Sequence, residues 1–156
     1  MAPYRINRNS VVAGPFLNPM LYLATRANQG DKIRIGQMYL NKDEVDELDR
    51  RLNELLRGEK PFLKHNYTLR QLAEDINISL HHLSAFINVH YGMNFNDFIN
   101  RYRVNYCISI ITQEQLKYKK FEAIAKESGF SNRNTFRIAF KKATGSTPSQ
   151  YLKEKK

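Results

Sequence analysis

The 156-residue chain contains a single cysteine, Cys107, so no disulfide bond can form within it. Chains that fold without disulfides are typical of the reducing cytoplasm, and we therefore expect a cytoplasmic protein. Apolar residues flank Cys107 in the sequence. This pattern predicts a thiol that packs in a core rather than one that acts as a nucleophile.

Long apolar runs are also absent. The most apolar stretch, residues 11–23, is interrupted by Pro15 and Pro19 and is shorter than the roughly 20 residues that a membrane span needs. No signal peptide is apparent. The sequence therefore predicts no membrane span.

The residue types that build metal and catalytic sites are scarce. The histidines are His65, His81, His82 and His90, and none of them forms an i, i+4 pair that a carboxylate accompanies. The sequence also has no cysteine cluster, no nucleotide-binding glycine loop and no arrangement of a nucleophile with a base. We therefore expect no metal, no cofactor and no enzymatic activity.

Acidic residues are outnumbered by basic ones, 15 to 25, which gives a net charge of +10. Residues 1–60 hold ten basic and eight acidic residues, whereas residues 61–156 hold fifteen and seven. Residues 132–156 hold seven basic residues against Glu154 alone. A cationic surface is what binding to phosphate requires, so the C-terminal part is the candidate nucleic-acid interface. For Lys153–Lys156 a solvated tail is the alternative.

Residues 121–145 show a helix-turn-helix pattern. A helix over Phe121–Ser128 is predicted to end at Gly129, because glycine takes the left-handed conformation at little cost. Ser131 is predicted to cap the next helix. In that helix apolar residues recur at i, i+3 and i+4 from Phe136, as expected for a face that packs on a core. Polar and cationic residues fall on the opposite face.

This stretch resembles the second DNA-binding motif of the AraC/XylS family of bacterial transcription regulators. The matching positions are Gly129-Phe130-Ser131, Phe136, Phe140-Lys141-Lys142, Gly145, Thr147-Pro148-Ser149 and Tyr151. The resemblance extends back to about Tyr67, loosely to Asp43, and does not cover residues 1–36. It implies a transcription regulator that carries two helix-turn-helix motifs, with double-stranded DNA as its partner. It also implies contact with RNA polymerase if the protein is an activator.

Residues 68–92 repeat the same pattern. Thr68 and Ser79 are predicted to cap helices over Leu69–Ile76 and Leu80–His90. Positions of the first motif up to Ser79 match the second motif at an offset of 52 residues, and positions after Ser79 match it at an offset of 53. The change of offset predicts one extra residue in the first turn of the second recognition helix.

A helix over residues 94–112 is predicted between the two motifs. It is apolar on more than one side, so we expect it to be buried between two lobes. About 19 residues at about 1.5 Å each make a rod of about 28 Å. Successive major grooves on one face of DNA are about 34 Å apart, so a rod of this length suits two recognition helices in adjacent grooves.

Residues 1–40 are punctuated by prolines and glycines, which predicts an irregular N-terminal arm or the remnant of an upstream domain. A helix is predicted over Asn41–Arg57, with an apolar stripe that either packs inside the chain or forms a dimer seam. Both a monomer and a dimer through 41–57 therefore stay open. Residues 41–156 are predicted to form the DNA-binding domain. The fold class is all-α, with about seven helices in two helix-turn-helix subdomains joined by the long central helix.

The two recognition helices supply the candidate DNA contacts. On the first helix the candidates are His81, His82, Ser84 and Asn88. On the second they are Asn132, Arg133, Asn134, Arg137, Lys141 and Lys142. Arg133 or Arg137 suits a bidentate pair with guanine, and Asn134 suits adenine. Lys141 and Lys142 suit phosphates.

The sequence departs from the family at one kind of position. Many members carry an arginine two residues after the core Leu or Phe of a recognition helix, and the matching positions here are Ala85 and Ile138. Ala85 is left as a candidate contact for a thymine methyl group, and Ile138 as a packing residue. The resemblance therefore supports DNA binding more firmly than any particular target sequence.

Two other functions remain open. A helical protein-interaction module with a basic face would also explain the charge, although such surfaces usually present an exposed aromatic or aliphatic anchor. The chain would also suit the role of DNA-binding output piece in a larger sensor protein.

Overall fold

The computed structural model describes residues 32–111 and 121–154. Residues 1–31 of the predicted arm, Thr112 at the end of the predicted central helix and the last two residues therefore lie outside the described part. Within it the chain forms two short strands, seven α-helices and a 3-10 turn. Their bounds are β1 Ile33–Ile35, β2 Met38–Leu40, α1 Lys42–Gly58, the 3-10 turn Pro61–Leu63, α2 Leu69–Asp75, α3 Leu80–His90, α4 Phe95–Ile110, α5 Phe121–Glu127, α6 Arg133–Thr144 and α7 Pro148–Glu154.

Strands β1 and β2 form an antiparallel hairpin, in which Arg34 lies opposite Tyr39. Gly36 makes the turn with a φ of +62°. The side chain of Ile35 is fully buried and that of Arg34 is exposed, because successive residues of a strand point to opposite faces. The predicted arm is thus not irregular over residues 33–40, where it forms a hairpin against the helices.

Helix α1 begins as its sequence predicts. The side chain of Asn41 accepts a hydrogen bond from the amide of Glu44, and the Glu44 carboxylate accepts one from the amide of Asn41. This capping box satisfies two amides that the first turn leaves unpaired. The apolar stripe of α1, which includes Leu52 and Leu56, is buried inside the chain, so this stripe is not available as a dimer seam.

Two hydrophobic clusters divide the described residues into two lobes. The first lobe is built from the hairpin, α1 to α3 and the N-terminal part of α4, and Phe86 and Phe98 are among its fully buried side chains. The second lobe is built from the C-terminal part of α4 with α5 to α7, around Ile124 and Phe140. Helix α4 therefore contributes to both cores, as predicted for a rod between two lobes.

The two helix-turn-helix motifs repeat each other in backbone geometry. The amide of Ile78 donates to the carbonyl of Ala73 at 2.9 Å, and the amide of Phe130, 52 positions later, donates to Ala125 at 3.1 Å. The residue before each of these donors has a positive φ, as does the glycine after each recognition helix. These four residues are Asn77, Gly129, Gly92 and Gly145.

The extra residue of the second motif lies in the turn and not in the recognition helix. The cap of α6 is Asn132, 53 positions after the cap Ser79, so the inserted residue is Ser131. The prediction that Ser131 caps α6 is therefore wrong. The side chain of Asn132 accepts from the amides of Asn134 and Thr135, because the longer turn places it, and not Ser131, at the helix start.

The two lobes touch each other beside α4. Arg103 of α4 donates from Nη2 to the carbonyl of Lys64 at 3.1 Å, and its guanidinium lies 5.8 Å from the ring centre of Phe130. A Cβ atom at Gly129 would lie 2.5 Å from the carbonyl oxygen of Phe62. The 3-10 turn of the first lobe therefore packs directly on the turn of the second helix-turn-helix motif.

Candidate nucleic-acid interface

Helix α6 has one buried face and one exposed face. Phe136 and Phe140 are buried in the second lobe and pack edge to face with ring centres 5.5 Å apart. Arg133, Asn134 and Arg137 are exposed, as the sequence predicts. Aromatic packing on one side therefore fixes the orientation of the polar side chains on the other.

The basic residues of α6 differ in whether their side chains form ion pairs with other parts of the chain. Arg133 lies 3.3 Å from the carboxylate of Glu122, with 81% of its side chain exposed. An ion pair this exposed contributes little stability, so it costs little to exchange it for a phosphate. Arg137 and Lys141 are exposed and form no ion pair with the residues that the structure describes.

Lys142 is placed differently from the other cations of α6. Its Nζ lies 2.7 Å from Asp97, near the start of α4. Asp97 itself is held in place by its amide, which donates to the side chain of Asn94. Lys142 therefore links the second recognition helix to the central helix, a role that its sequence position did not indicate.

The side chain of Asn132 is occupied by capping. Its oxygen accepts a hydrogen bond of 2.7 Å from Asn134 and one of 3.2 Å from Thr135. Among the residues predicted on α6, the side chains that remain free of such protein contacts in the described part are those of Asn134, Arg137 and Lys141.

Helix α3 presents a smaller polar surface. His81 and Asn88 are exposed, whereas His82 and Ser84 are partly buried. The amide group of Asn88 donates to the carbonyl of Ser84 one turn earlier, at 2.9 Å. All four predicted residues thus lie on or beside the outer surface of α3, which contains no lysine or arginine.

The end of α3 is tied to α1 by hydrogen bonds of buried His90 and Tyr91 to the partly buried Asp49. The Nε2 atom of His90 lies 3.1 Å from Oδ1 of Asp49, and the hydroxyl of Tyr91 donates to the same oxygen at 2.6 Å. Burial raises the pKa of Asp49, but the hydrogen bonds from His90 and Tyr91 outweigh it, so the net pKa lies below its usual range. Burial and the nearby Asp49 carboxylate raise the pKa of Tyr91. These hydrogen bonds hold the first recognition helix in register with α1.

The two positions at which the sequence departs from the family differ in their surroundings. Ile138 is 61% exposed on α6, so the expectation that it packs is wrong. Ala85, its counterpart on α3, is partly buried because the turn of the hairpin lies against it. A Cβ at Gly36 would be 2.8 Å from the Cβ of Ala85.

Sequence reasoning missed the hairpin that lies against α3. Arg34 donates from Nε to the carbonyl of Gly36 at 3.1 Å, and Tyr39 opposite it is 59% exposed. The alternation from Ile33 to Ile35 was the available signal, but strands of three residues are too short for a pattern to stand out.

Within residues 32–111 and 121–154, no helix has the length and the apolar character to cross a membrane. In the same part of the chain, no group of three or more His, Cys, Asp or Glu side chains is arranged to hold a metal ion.

Comparison with known proteins gives a family match over residues 72–154, to a helix-turn-helix domain. Among curated proteins, an uncharacterised response regulatory protein of Staphylococcus epidermidis is 30% identical over 112 residues, which are 72% of this chain and 43% of that protein. The transcriptional regulatory protein HptR of Staphylococcus aureus is 29% identical over 105 residues, which are 67% of this chain and 40% of HptR. The chain thus spans less than half the length of these relatives.

Two solved structures are also similar. One is the C-terminal domain of AraT, a response regulator from Geobacillus stearothermophilus, with a TM-score of 0.53 and 27% identity. That match covers 67% of this chain and 82% of the AraT chain. The other is a protein of unknown function from Listeria innocua, with a TM-score of 0.52 and 33% identity, covering 65% of this chain and 93% of that one.

Proposed function

The chain belongs to the AraC-type helix-turn-helix family, and we propose that it binds double-stranded DNA sequence-specifically as a transcription regulator. In this proposal α3 and α6 enter two adjacent major grooves. Residues of α6 supply most of the charge and the guanine and adenine contacts, and α3 reads base edges without a fixed charge of its own.

The observation that carries this proposal is the paired arrangement of two repeated motifs. Each recognition helix packs apolar residues such as Phe136 inward and presents polar residues such as Arg137 outside, together with one exposed apolar residue, Leu80 on α3 and Ile138 on α6. The distribution of charge agrees with this arrangement, because the basic residues Arg133, Arg137 and Lys141 all lie on α6. A cationic helix face with amide and guanidinium groups suits both phosphates and base edges.

A fixed spacing between the lobes supports the two-groove arrangement. Helix α4 has 16 residues and is therefore about 24 Å long. The contacts of Arg103 with the first lobe and with Phe130 join the lobes a second time, so rotation about α4 alone is restricted. A stiff reader of two grooves gains from DNA that bends toward it, because bending brings the grooves closer.

The names of the relatives favour a role within a larger regulator. HptR is a transcriptional regulatory protein and AraT is a response regulator, and the AraT structure is that of a C-terminal domain. We propose that this chain acts in the same way, as the DNA-binding output of a regulator. If it activates transcription, RNA polymerase is the expected partner.

Salt dependence separates DNA binding from binding to an acidic protein. Affinity for a random-sequence duplex is measured by fluorescence anisotropy between about 50 and about 200 mM salt, where release of counterions weakens phosphate contacts steeply. We expect a steep loss of affinity for the unaltered chain. The combined variant Arg133→Ala, Arg137→Ala and Lys141→Ala is expected to bind more weakly and with a shallower slope.

A matched control removes three exposed cations elsewhere, at Lys42, Arg50 and Lys64. This control is expected to keep most of the affinity and slope, because those residues lie outside the two recognition helices. Equal losses in both triple variants, or binding that salt does not weaken, would refute the proposed interface.

A further inference from the structure

The hairpin lies beside the outer face of the first recognition helix. The backbone at Gly36 approaches Ala85 so closely that a Cβ there would be 2.8 Å from the Cβ of Ala85. At about 100° per residue, Ala85 lies about 40° from His81 and about 60° from Asn88 around α3. The turn therefore sits at the edge of the face that we propose enters a major groove.

The hairpin brings a cation to a helix that has none. Helix α3 contains no lysine or arginine, whereas α6 contains Arg133, Arg137, Lys141 and Lys142. The hydrogen bond from Nε of Arg34 to the carbonyl of Gly36, 3.1 Å long, keeps this guanidinium at the turn. Nη1 and Nη2 of Arg34, which that bond does not use, are available to a phosphate.

The charge of the hairpin decides between two roles. An element packed on a DNA-reading helix either adds contacts to DNA or blocks its approach. Residues 32–40 contain Lys32 and Arg34 and no aspartate or glutamate, so the backbone phosphates attract this element. A blocking segment would gain from the opposite sign of charge.

We propose that the hairpin is part of the DNA interface of the first lobe and that Arg34 contacts the phosphate backbone beside the groove that α3 occupies. The small side chain at position 85 is what admits the turn, since a longer one would collide with Gly36. This proposal rests on the proposed function and adds to it a contact residue outside both helix-turn-helix motifs.

The test compares three single variants of the full chain by anisotropy across a salt series. Arg34→Ala is expected to lower the slope of log affinity against log salt by about 0.9, the value for one phosphate contact, and to weaken binding. Lys32→Ala removes the same charge at the open end of the hairpin and is expected to change the slope little. Gly36→Ala displaces the turn from Ala85 without a change of charge and is expected to weaken binding as Arg34→Ala does.

Three results would overturn this inference. An unchanged salt slope in Arg34→Ala would show that Arg34 makes no phosphate contact. Equal losses of affinity in Arg34→Ala and Lys32→Ala would show that the effect comes from net charge and not from the position of Arg34. Tighter binding by Gly36→Ala would show that the hairpin blocks α3. If Arg34→Ala is silent while Arg137→Ala weakens binding, only the hairpin proposal fails, and if the unaltered chain binds no duplex, the proposed function fails.

Discussion

Arg103 donates a hydrogen bond from Nε to the main-chain carbonyl of Phe62 at 2.7 Å. Phe62 belongs to the 3-10 turn of the first lobe, and Arg103 lies in the central helix between Tyr102 of the first core and Val104 of the second. The same carbonyl oxygen packs against Gly129, where a Cβ atom would lie 2.5 Å from it. The relative placement of the two recognition helices therefore depends on one crowded contact as well as on α4.

Gly129→Ala tests how tight this contact is. A side chain there meets both a φ of +89° and a backbone oxygen, so we expect a loss of about 1–3 kcal/mol in the free energy of unfolding. Urea denaturation measures it. The control Gly58→Ala adds a methyl group near the end of a helix, where no atom beyond its chain neighbours and the backbone of its own helix lies within 4 Å, and it is expected to raise stability by up to about 1 kcal/mol. Equal stability of the two variants would argue against a close contact between the lobes.

Arg137→Ala tests whether α6 reads bases. If Arg137 pairs with a guanine, its loss should cost about 1–3 kcal/mol of binding free energy and relax the preference at one base pair. Competition with duplexes substituted at each position measures both quantities. Arg50→Ala, which removes a cation from the exposed face of α1, is the control and should leave the preference unchanged. A uniform loss on all sequences would make Arg137 a phosphate contact instead.

The stability of the first lobe should depend on the ionisation of Asp49. Its pKa in the folded chain lies below the ordinary value of 3.8, because the hydrogen bonds of His90 and Tyr91 to the carboxylate outweigh the effect of burial. The stability that this carboxylate contributes is therefore present above about pH 4 and is lost as the pH falls through the lower folded value.

Asp49→Asn should lower the free energy of unfolding at pH 7 by about 1–3 kcal/mol and flatten its decline below about pH 4. Urea titrations at several pH values measure this. Asp46→Asn, at an exposed position on the same helix, is the control. If the stability of both variants declines with pH as that of the unaltered chain does, Asp49 is not the source of the dependence.

Cys107 should be unreactive while the chain is folded. Burial raises the pKa of its thiol to about 11, although a hydrogen bond with Ser128 works against this, so little thiolate exists at pH 8. We expect iodoacetamide to modify Cys107 slowly in buffer and rapidly in urea, as followed by mass spectrometry. Fast modification of the folded chain would place the thiol outside the core of the second lobe.

The helices and their order follow from local signals in the sequence. Caps such as Asn41 and Thr68 and the spacing of apolar residues act within a few positions of the chain, so they predict where a helix begins and which face it buries. The repeat of two motifs was visible for the same reason, because turns and core positions recur at nearly fixed offsets.

Features that depend on contacts between distant residues did not follow from the sequence. The pairing of Lys142 with Asp97 joins residues 45 positions apart, and nothing near either residue indicates it. The position of the hairpin on Ala85 is of the same kind. The predicted cap of α6, Ser131, was wrong by one residue, because Ser131 and Asn132 are both good capping residues and local preference alone does not rank them.

The most direct test of the two-groove arrangement is the selection of bound duplexes from a random pool by the unaltered chain. We expect an enriched site with two half-sites whose centres lie about 10–10.5 base pairs apart, one helical turn of DNA. Insertion of about five base pairs between the half-sites should then place them on opposite faces of the DNA and abolish the gain in affinity that the second half-site gives. A single enriched half-site, or two half-sites whose separation can be changed without loss, would contradict the arrangement.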